Sequence, residues 1–189
     1  MKELLKKILQ LLALICTFPL AMIFRLSQSS SLFAGQAQLL ALVPGKAGSY
    51  LRVAYYCQTL KRCSSHGYIG FGTFFSQSEA ELGLGYYIGS YCILGKAVLE
   101  NHVTIGSGVN ILSGKHQHGY AQIGVPIQEQ SGEFIKVRIG ENCWIGNGAI
   151  IMADLGLQNV IAAGSVVTSR TEDFSLMAGN PAKLAKKIF

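Results

Sequence analysis

The sequence predicts an all-β parallel solenoid behind a helical N-terminal segment, and three observations carry that expectation. Aliphatic residues, many followed by glycine, recur every six positions through the C-terminal two thirds of the chain. Twenty-two glycines stand against four prolines and 14% charged residues, a composition suited to many tight corners and few free loops. The N-terminal third instead interleaves long apolar runs with lysine and arginine.

The repeat is regular enough to be read residue by residue. Ile88-Gly89 is followed by Leu94-Gly95; Leu99, Ile105-Gly106 and Ile111 continue the spacing, as do Ile139-Gly140, Ile145-Gly146 and Ile151. After a two-residue contraction, Leu155-Gly156, Ile161-Ala162 and Val167 resume it. Small or branched residues stand four positions after many of these starts, at Val98, Val103, Val109, Ala149 and Ser165. Six residues are too few for a helix pair but match one flat side and one corner of a parallel solenoid. The aliphatic residue of each unit is expected to point inward and stack on its equivalent in the next coil. Buried strands of an ordinary sandwich would not hold the period through so many units.

Before the repeats, Leu4, Leu5, Ile8, Leu11, Leu12 and Ile15 fall at helical spacing opposite Lys2, Lys6 and Gln10, which predicts an amphipathic helix over residues 2–15. From Ile8 to Phe24 there are 17 residues without a charge, interrupted by Pro19. A spanning helix needs about 20 apolar residues, so this short, broken run predicts an anchor lying in the interface, with a single tilted span as the alternative. The run also imitates a secretory signal, but no convincing small-x-small cleavage site follows it. Ser27 to Ser31 form a polar break, and Pro44-Gly45 precede a second helix over about residues 49–61, whose Tyr50, Tyr55 and Tyr56 suit a lipid–water boundary. The expected division is a helical, membrane-associating segment over 1–64 and a solenoid domain over 65–189.

Charge agrees with that division. Residues 1–62 hold eight bases and one acid, whereas residues 63–189 hold eight bases and nine acids, so the formal +6 lies wholly in the greasy N-terminal third. Basic charge among apolar runs suits an anionic lipid surface, and a solenoid without positive excess argues against nucleic acid as a partner. Cys16, Cys57, Cys63, Cys92 and Cys143 are an odd set without a Cys-x-x-Cys pair, and read as small hydrophobes in a reducing compartment.

With Cys143-Trp144-Ile145-Gly146 and the ending Ala178-Gly179-Asn180-Pro181-Ala182-Lys183, these hexads resemble the hexapeptide-repeat acyltransferases. The likeness is to the galactoside, maltose and virginiamycin-type O-acetyltransferases and their relatives in surface-polysaccharide clusters, and it covers roughly residues 64–189. It implies a left-handed parallel β-helix closed by a short C-terminal helix, a homotrimer, active sites between neighbouring subunits, and acetyl-CoA as acyl donor.

The repeat is interrupted at length once, from Lys115 to about Lys136, and long excursions from a compact solenoid are usually functional. His116 stands at its start, five residues after Ile111, where the resemblance places the catalytic base. A sugar hydroxyl is a poor nucleophile, so an imidazole titrating near neutrality must take its proton as oxygen attacks the thioester carbonyl. His118 is a candidate acceptor contact; His66 and His102 read as structural, and no three histidines are spaced as metal ligands, so no metal is expected.

By the same resemblance, Asn147 and Ala163 match positions whose backbone flanks the pantetheine arm, Trp144 a wall between donor and acceptor, and Thr168 a position near the nucleotide. Lys183 and Lys186 match basic residues that meet the coenzyme phosphates. Where relatives continue Val-Val-Thr with Lys-Asp, this chain reads Val167-Thr168-Ser169-Arg170, which leaves Arg170 to replace the missing lysine. The expected function is O-acetylation of a sugar hydroxyl, on a surface polysaccharide or its lipid-linked precursor, at the cytoplasmic face of the cell membrane. A small soluble acceptor and a non-catalytic membrane-bound scaffold are the alternatives.

Overall fold

The computed structural model describes residues 2–189. Three helices come first: α1 (Lys2–Ser27), α2 (Ser30–Ala41) and α3 (Gly45–Thr59). α1 is continuous through Pro19, so the expected break is absent. The proline forfeits one backbone hydrogen bond, but the helix is clamped on both sides of it. Gln58 on α3 donates to the Leu14 carbonyl and to Thr17 Oγ1, and Arg25 Nε donates to the Gln58 carbonyl. Ala13, Thr17, Ala21 and Phe24 form the buried face. The small Ala13, Thr17 and Ala21 let α1 lie close on α3, while Leu4, Leu5, Leu12, Ile15, Phe18 and Ile23 remain exposed on the other side.

The stretch read as a polar break is a hinge followed by a helix. Gln28 takes a positive φ of 51°, and Ser29 caps α2 by accepting from the Leu32 N–H at 3.3 Å. Tyr55 and Tyr56 do not face lipid. Both are fully buried, Tyr55 donating to Gln36 Oε1 at 2.8 Å and Tyr56 Oη accepting from the Phe75 N–H at 3.1 Å. Aromatic rings with a polar tip serve a buried joint as well as an interface, so composition alone misplaced them.

Arg52 locks this helical cap to the solenoid. It is fully buried, with Nη1 donating to the Leu40 and Val43 carbonyls and Nε and Nη2 both donating to Ile69 O. One side chain therefore ties the end of α2, the α2–α3 turn and the first coil together. Gly48 is required beside it, because a Cβ there would run into the Val43 carbonyl and Arg52 Nη1.

The solenoid has three faces. One sheet stacks β1 (Arg62–Cys63), β4 (Glu81–Leu82), β7 (Ala97–Leu99) and β10 (Val137–Ile139). A second stacks β2 (Gly67–Ile69), β5 (Tyr86–Ile88), β8 (Thr104–Ile105), β11 (Trp144–Ile145), β13 (Val160–Ile161), β15 (Ser175–Gly179) and β16 (Ala182–Lys187). The third stacks β3 (Phe74–Phe75), β6 (Ile93–Leu94), β9 (Asn110–Ile111), β12 (Ile150–Ile151) and β14 (Val166–Val167). All pairings are parallel except β15 with β16. The predicted aliphatic ladder is the core: Ile88, Ile105, Ile145 and Ile161 pair in register on the second face, and Leu94, Ile111, Ile151 and Val167 on the third, each 0–1% exposed.

The expected C-terminal helix is absent. Residues 175–187 form an antiparallel hairpin, β15 extending the second face beyond β13 and β16 closing its edge. Lys183 to Lys187 are adequate helix formers, but the last coil leaves a row of unpaired backbone groups. The hairpin satisfies them, with Ala162 N–H donating to the Met177 carbonyl and Gly179 N–H to Ser165 Oγ.

Replacing Arg52 by leucine removes its hydrogen bonds to the Leu40, Val43 and Ile69 carbonyls. It should destabilise the protein by about 3 kcal/mol, read as a lowered urea midpoint; an unchanged midpoint would contradict the joint assigned to this residue.

Candidate functional site

The excursion leaves the solenoid after β9 and returns at β10, and its two arms run side by side at the neck. Ile135 N–H donates to the Ser113 carbonyl at 3.1 Å and Glu133 N–H to the His116 carbonyl at 2.7 Å. Gly132 faces the Gln117 backbone so closely that any Cβ would collide with it, and a Cβ on Gly119 would meet the Ser131 carbonyl at 2.7 Å. Deeper in the loop, the buried Gln130 accepts from the Gln122 N–H and donates to the Gln122 and Val125 carbonyls at 2.9–3.0 Å. Lys136 closes the return arm on Glu81 at 2.6 Å. That contact, helped by Lys61 and Arg62, holds the Glu81 carboxyl below the usual range against its own partial burial, so the clamp weakens as pH falls through the lowered value.

His116 and His118 are both exposed and line one open cavity of about 490 Å³ with Tyr120, Ser131 and Glu133. The neck bond fixes the His116 backbone while the ring stays in reach of solvent. A second cavity, of about 350 Å³, adjoins the same arm and is lined by Ser76, Gln77, Asn110, Ser113, Gln117 and Phe134. It offers hydroxyls and amides in several directions.

Asn147 and Ala163 share one corner of successive coils. Asn147 Oδ1 accepts from the Ser107 N–H at 2.9 Å and its carbonyl accepts from the Gly164 N–H at 2.9 Å, so the side chain holds the coil before it and the backbone the coil after. Gly148 and Gly164, at φ 67° and 69°, supply the left-handed turn, and a Cβ on either would meet nothing within 4 Å. The corner therefore presents open backbone along two coils. Trp144 stands on the strand leading into it, 57% exposed. Thr168, half-buried, follows β14 at the next corner. Lys183 and Lys186 are exposed on β16 and have no carboxylate partner among the described residues, unlike Lys187, which pairs with Glu172 at 2.7 Å. The structure thus gathers Asn147 with Ala163, and His116 with His118, and leaves Trp144, Thr168 and the two lysines on separate elements of the same solenoid.

No protein-family model matches the chain. It is 38% identical over 96 residues to a candidate acetyltransferase of Saccharomyces cerevisiae, covering 49% of this chain and 46% of that protein. It is 32% identical over 91 residues to the galactoside O-acetyltransferase of Lactococcus lactis, covering 47% and 42%. The chain spans less than half the length of either relative. Among solved structures it superposes on a maltose O-acetyltransferase from Clostridium difficile with a TM-score of 0.73 at 22% identity, over 83% of this chain and 85% of that one. It superposes on galactoside acetyltransferase in complex with coenzyme A with a TM-score of 0.63 at 16% identity, over 85% and 81%. The chain has the fold of these acetyltransferases.

The solenoid of this hexapeptide-repeat protein is the left-handed β-helix that those structures share. Among the described residues no cluster of three His, Cys, Asp or Glu side chains is placed to hold a metal. Tyr86 is core, donating to the Ser64 carbonyl at 3.0 Å, while Tyr87 is exposed and stacks on Tyr68 with centroids 5.0 Å apart. Glu133, Tyr120 and the amide-lined second cavity went unread in the sequence. Their only signal was the position of the excursion's return arm, and which residues face His116 depends on how the two arms pair.

The Gln130 latch gives this hexapeptide-repeat protein a rigid loop. Gln130→Ala should speed limited proteolysis within residues 118–131 by about tenfold, the loss of a hydrogen-bonded contact worth about 1 kcal/mol or somewhat more, without moving the melting temperature of the solenoid. An unchanged cleavage rate would contradict the latch.

Proposed function

We propose that this protein moves acetyl from acetyl-CoA to a hydroxyl of a saccharide held at a membrane surface. The observation that carries the reading is His116: an exposed imidazole, its backbone pinned at the neck of the excursion, opening on a cavity beside polar groups able to receive a polyol. The acceptor oxygen attacks the thioester carbonyl as His116 takes its proton. The C–O bond forms, the C–S bond breaks from the tetrahedral intermediate, and the proton passes to the departing thiolate. His118 lines the same cavity and contacts the acceptor.

The donor fits the groups present. Open backbone at the Asn147 and Ala163 corner gives the pantetheine arm a slot, Trp144 stands at its edge, and Thr168, Arg170, Lys183 and Lys186 supply polar and cationic groups for the nucleotide end. The names of the relatives and the coenzyme A complex of a structural neighbour support acetyl-CoA as that donor. A homotrimer supplies the facing wall, and the exposed Tyr87, Ile93, Trp144 and Leu157 on the solenoid sides give it apolar area to bury.

Membrane association is read from α1. It is long and apolar enough to cross a bilayer, yet Thr17 and Arg25 tie it along α3, whose own side chains are committed to the solenoid joint, and Gln10 donates to the Ser65 carbonyl of the first coil. An in-plane anchor at the cytoplasmic face satisfies both facts: the exposed leucine, isoleucine and phenylalanine side enters lipid, and α3 keeps its protein contacts.

His116→Ala should lower acetyl transfer to a saccharide panel by about 10²–10⁴-fold with acetyl-CoA binding intact, and full activity in that variant would overturn the mechanism. Lys183→Ala with Lys186→Ala should raise the KM for acetyl-CoA about tenfold at unchanged kcat; an unaltered KM would remove them from the donor site.

A further inference from the structure

α1, α3 and the first coil enclose a cavity of about 220 Å³ whose lining includes Lys6, Gln10, Lys46, Ser49, Tyr50 and Tyr68. Lys6 and Lys46 come from different helices and converge on it, and neither has a carboxylate partner among the described residues. α3 begins beside it with no side-chain cap and no acidic residue in its first turn, so the positive end of that helix adds to the two ammonium groups. The hydroxyl-bearing Ser49, Tyr50, Ser65 and Tyr68 and the Gln10 amide add polar groups to the wall. Gln10, Tyr50 and Val53 also border a neighbouring slot of about 60 Å³, walled by the apolar Leu14, Ala54 and Cys57. Leu5 and Leu9, next to Lys6 on α1, are exposed at 57% and 39%. A positive, hydroxyl-lined chamber with an apolar annex, bordered by the apolar face of a helix, has the form of a receptor for an amphiphilic phosphate.

We propose that this cavity binds the phosphate headgroup of a membrane lipid, with Lys6 and Lys46 holding the phosphate oxygens and hydrocarbon running along the apolar side of α1. The inference rests on the membrane-surface reading of α1 and makes it selective: the apolar helix supplies general affinity for bilayers, and the cavity a preference for accessible phosphate. Two ammonium groups on a tetrahedral oxyanion suit a phosphate better than a carboxylate, because its three or more oxygens engage both cations at once.

The test uses full-length protein and flotation with phosphatidylcholine vesicles, plain or doped with phosphatidic acid. Wild-type protein should bind the doped vesicles about 30-fold more tightly, at roughly a factor of five per lysine near the surface. Lys6→Gln with Lys46→Gln should lose that gain and keep the binding to plain vesicles, whereas the charge-matched pair Lys7→Gln with Lys61→Gln should keep most of it. Far-ultraviolet dichroism and acetyl-CoA binding report that each variant is folded. Equal loss in the two pairs would reduce the effect to general surface charge and overturn the site. Calorimetric binding of soluble glycerol phosphate as tight as that of the vesicles, and dependent on Lys6 and Lys46, would assign the cavity to a free phosphate and overturn the lipid. Failure to bind either vesicle would instead sink the membrane reading itself, and the headgroup site with it.

Discussion

Ile88, Ile105, Ile145 and Ile161 lie one above another across the second face, as Leu94, Ile111, Ile151 and Val167 do across the third. Burying each such side chain is worth about 1.5–3 kcal/mol, and the strands that carry them are only two or three residues long, so little else sets their register. A slip of one residue would turn an inward aliphatic outward. The stack therefore decides which residues face out as well as which face in: Asn147 falls over Ala163, Trp144 beside Val160, and the chain leaves for its excursion at a fixed point after Ile111. The catalytic reading depends on this ladder first and on any individual polar contact second.

A ladder of this kind has two open ends. At the C-terminal end β15 and β16 cover it; at the N-terminal end the three helices do, and Arg52 spends its hydrogen bonds on main-chain carbonyls from both parts. The helical cap thus has two duties. Its inner side seals the solenoid with Phe33, Tyr55 and Tyr56, the last packed edge-on against Phe75 of the first coil, and its outer side presents the apolar face of α1. Under the proposed function, the apolar face of α1 sits on the same joint as the first coil, and that joint sets the distance between the lipid surface and the excursion.

The sequence displayed the solenoid because a six-residue period is a local, repeated signal: the inward positions from Ile88 to Val167 are the buried ones. It displayed His116 because one long break in a regular array is conspicuous. It misjudged the two termini, where tertiary pairing overrides local preference. Lys183 to Lys187 read as helix until the unpaired edge of β13 is considered, and Pro19 read as a stop until the packing of α1 along α3 is seen. Tyr55 and Tyr56 were assigned to lipid by type, whereas their hydroxyls are taken up by Gln36 and the Phe75 amide. The roles of Gln130 and Glu133 were not legible, because they arise from the pairing of two loop arms that nothing in the repeat describes.

The central claim is that the left-handed coil delivers the His116 imidazole to a thioester lying along the Asn147 and Ala163 corner. A crystal structure of the full chain with coenzyme A tests it most directly. The account predicts the pantetheine arm on that corner, a second copy of the chain facing it, and the sulfur within about 3–3.5 Å of the reacting groups, the spacing of a near-attack geometry. Coenzyme bound on another face of the solenoid, or the imidazole turned away from the sulfur with no path between them, would contradict it.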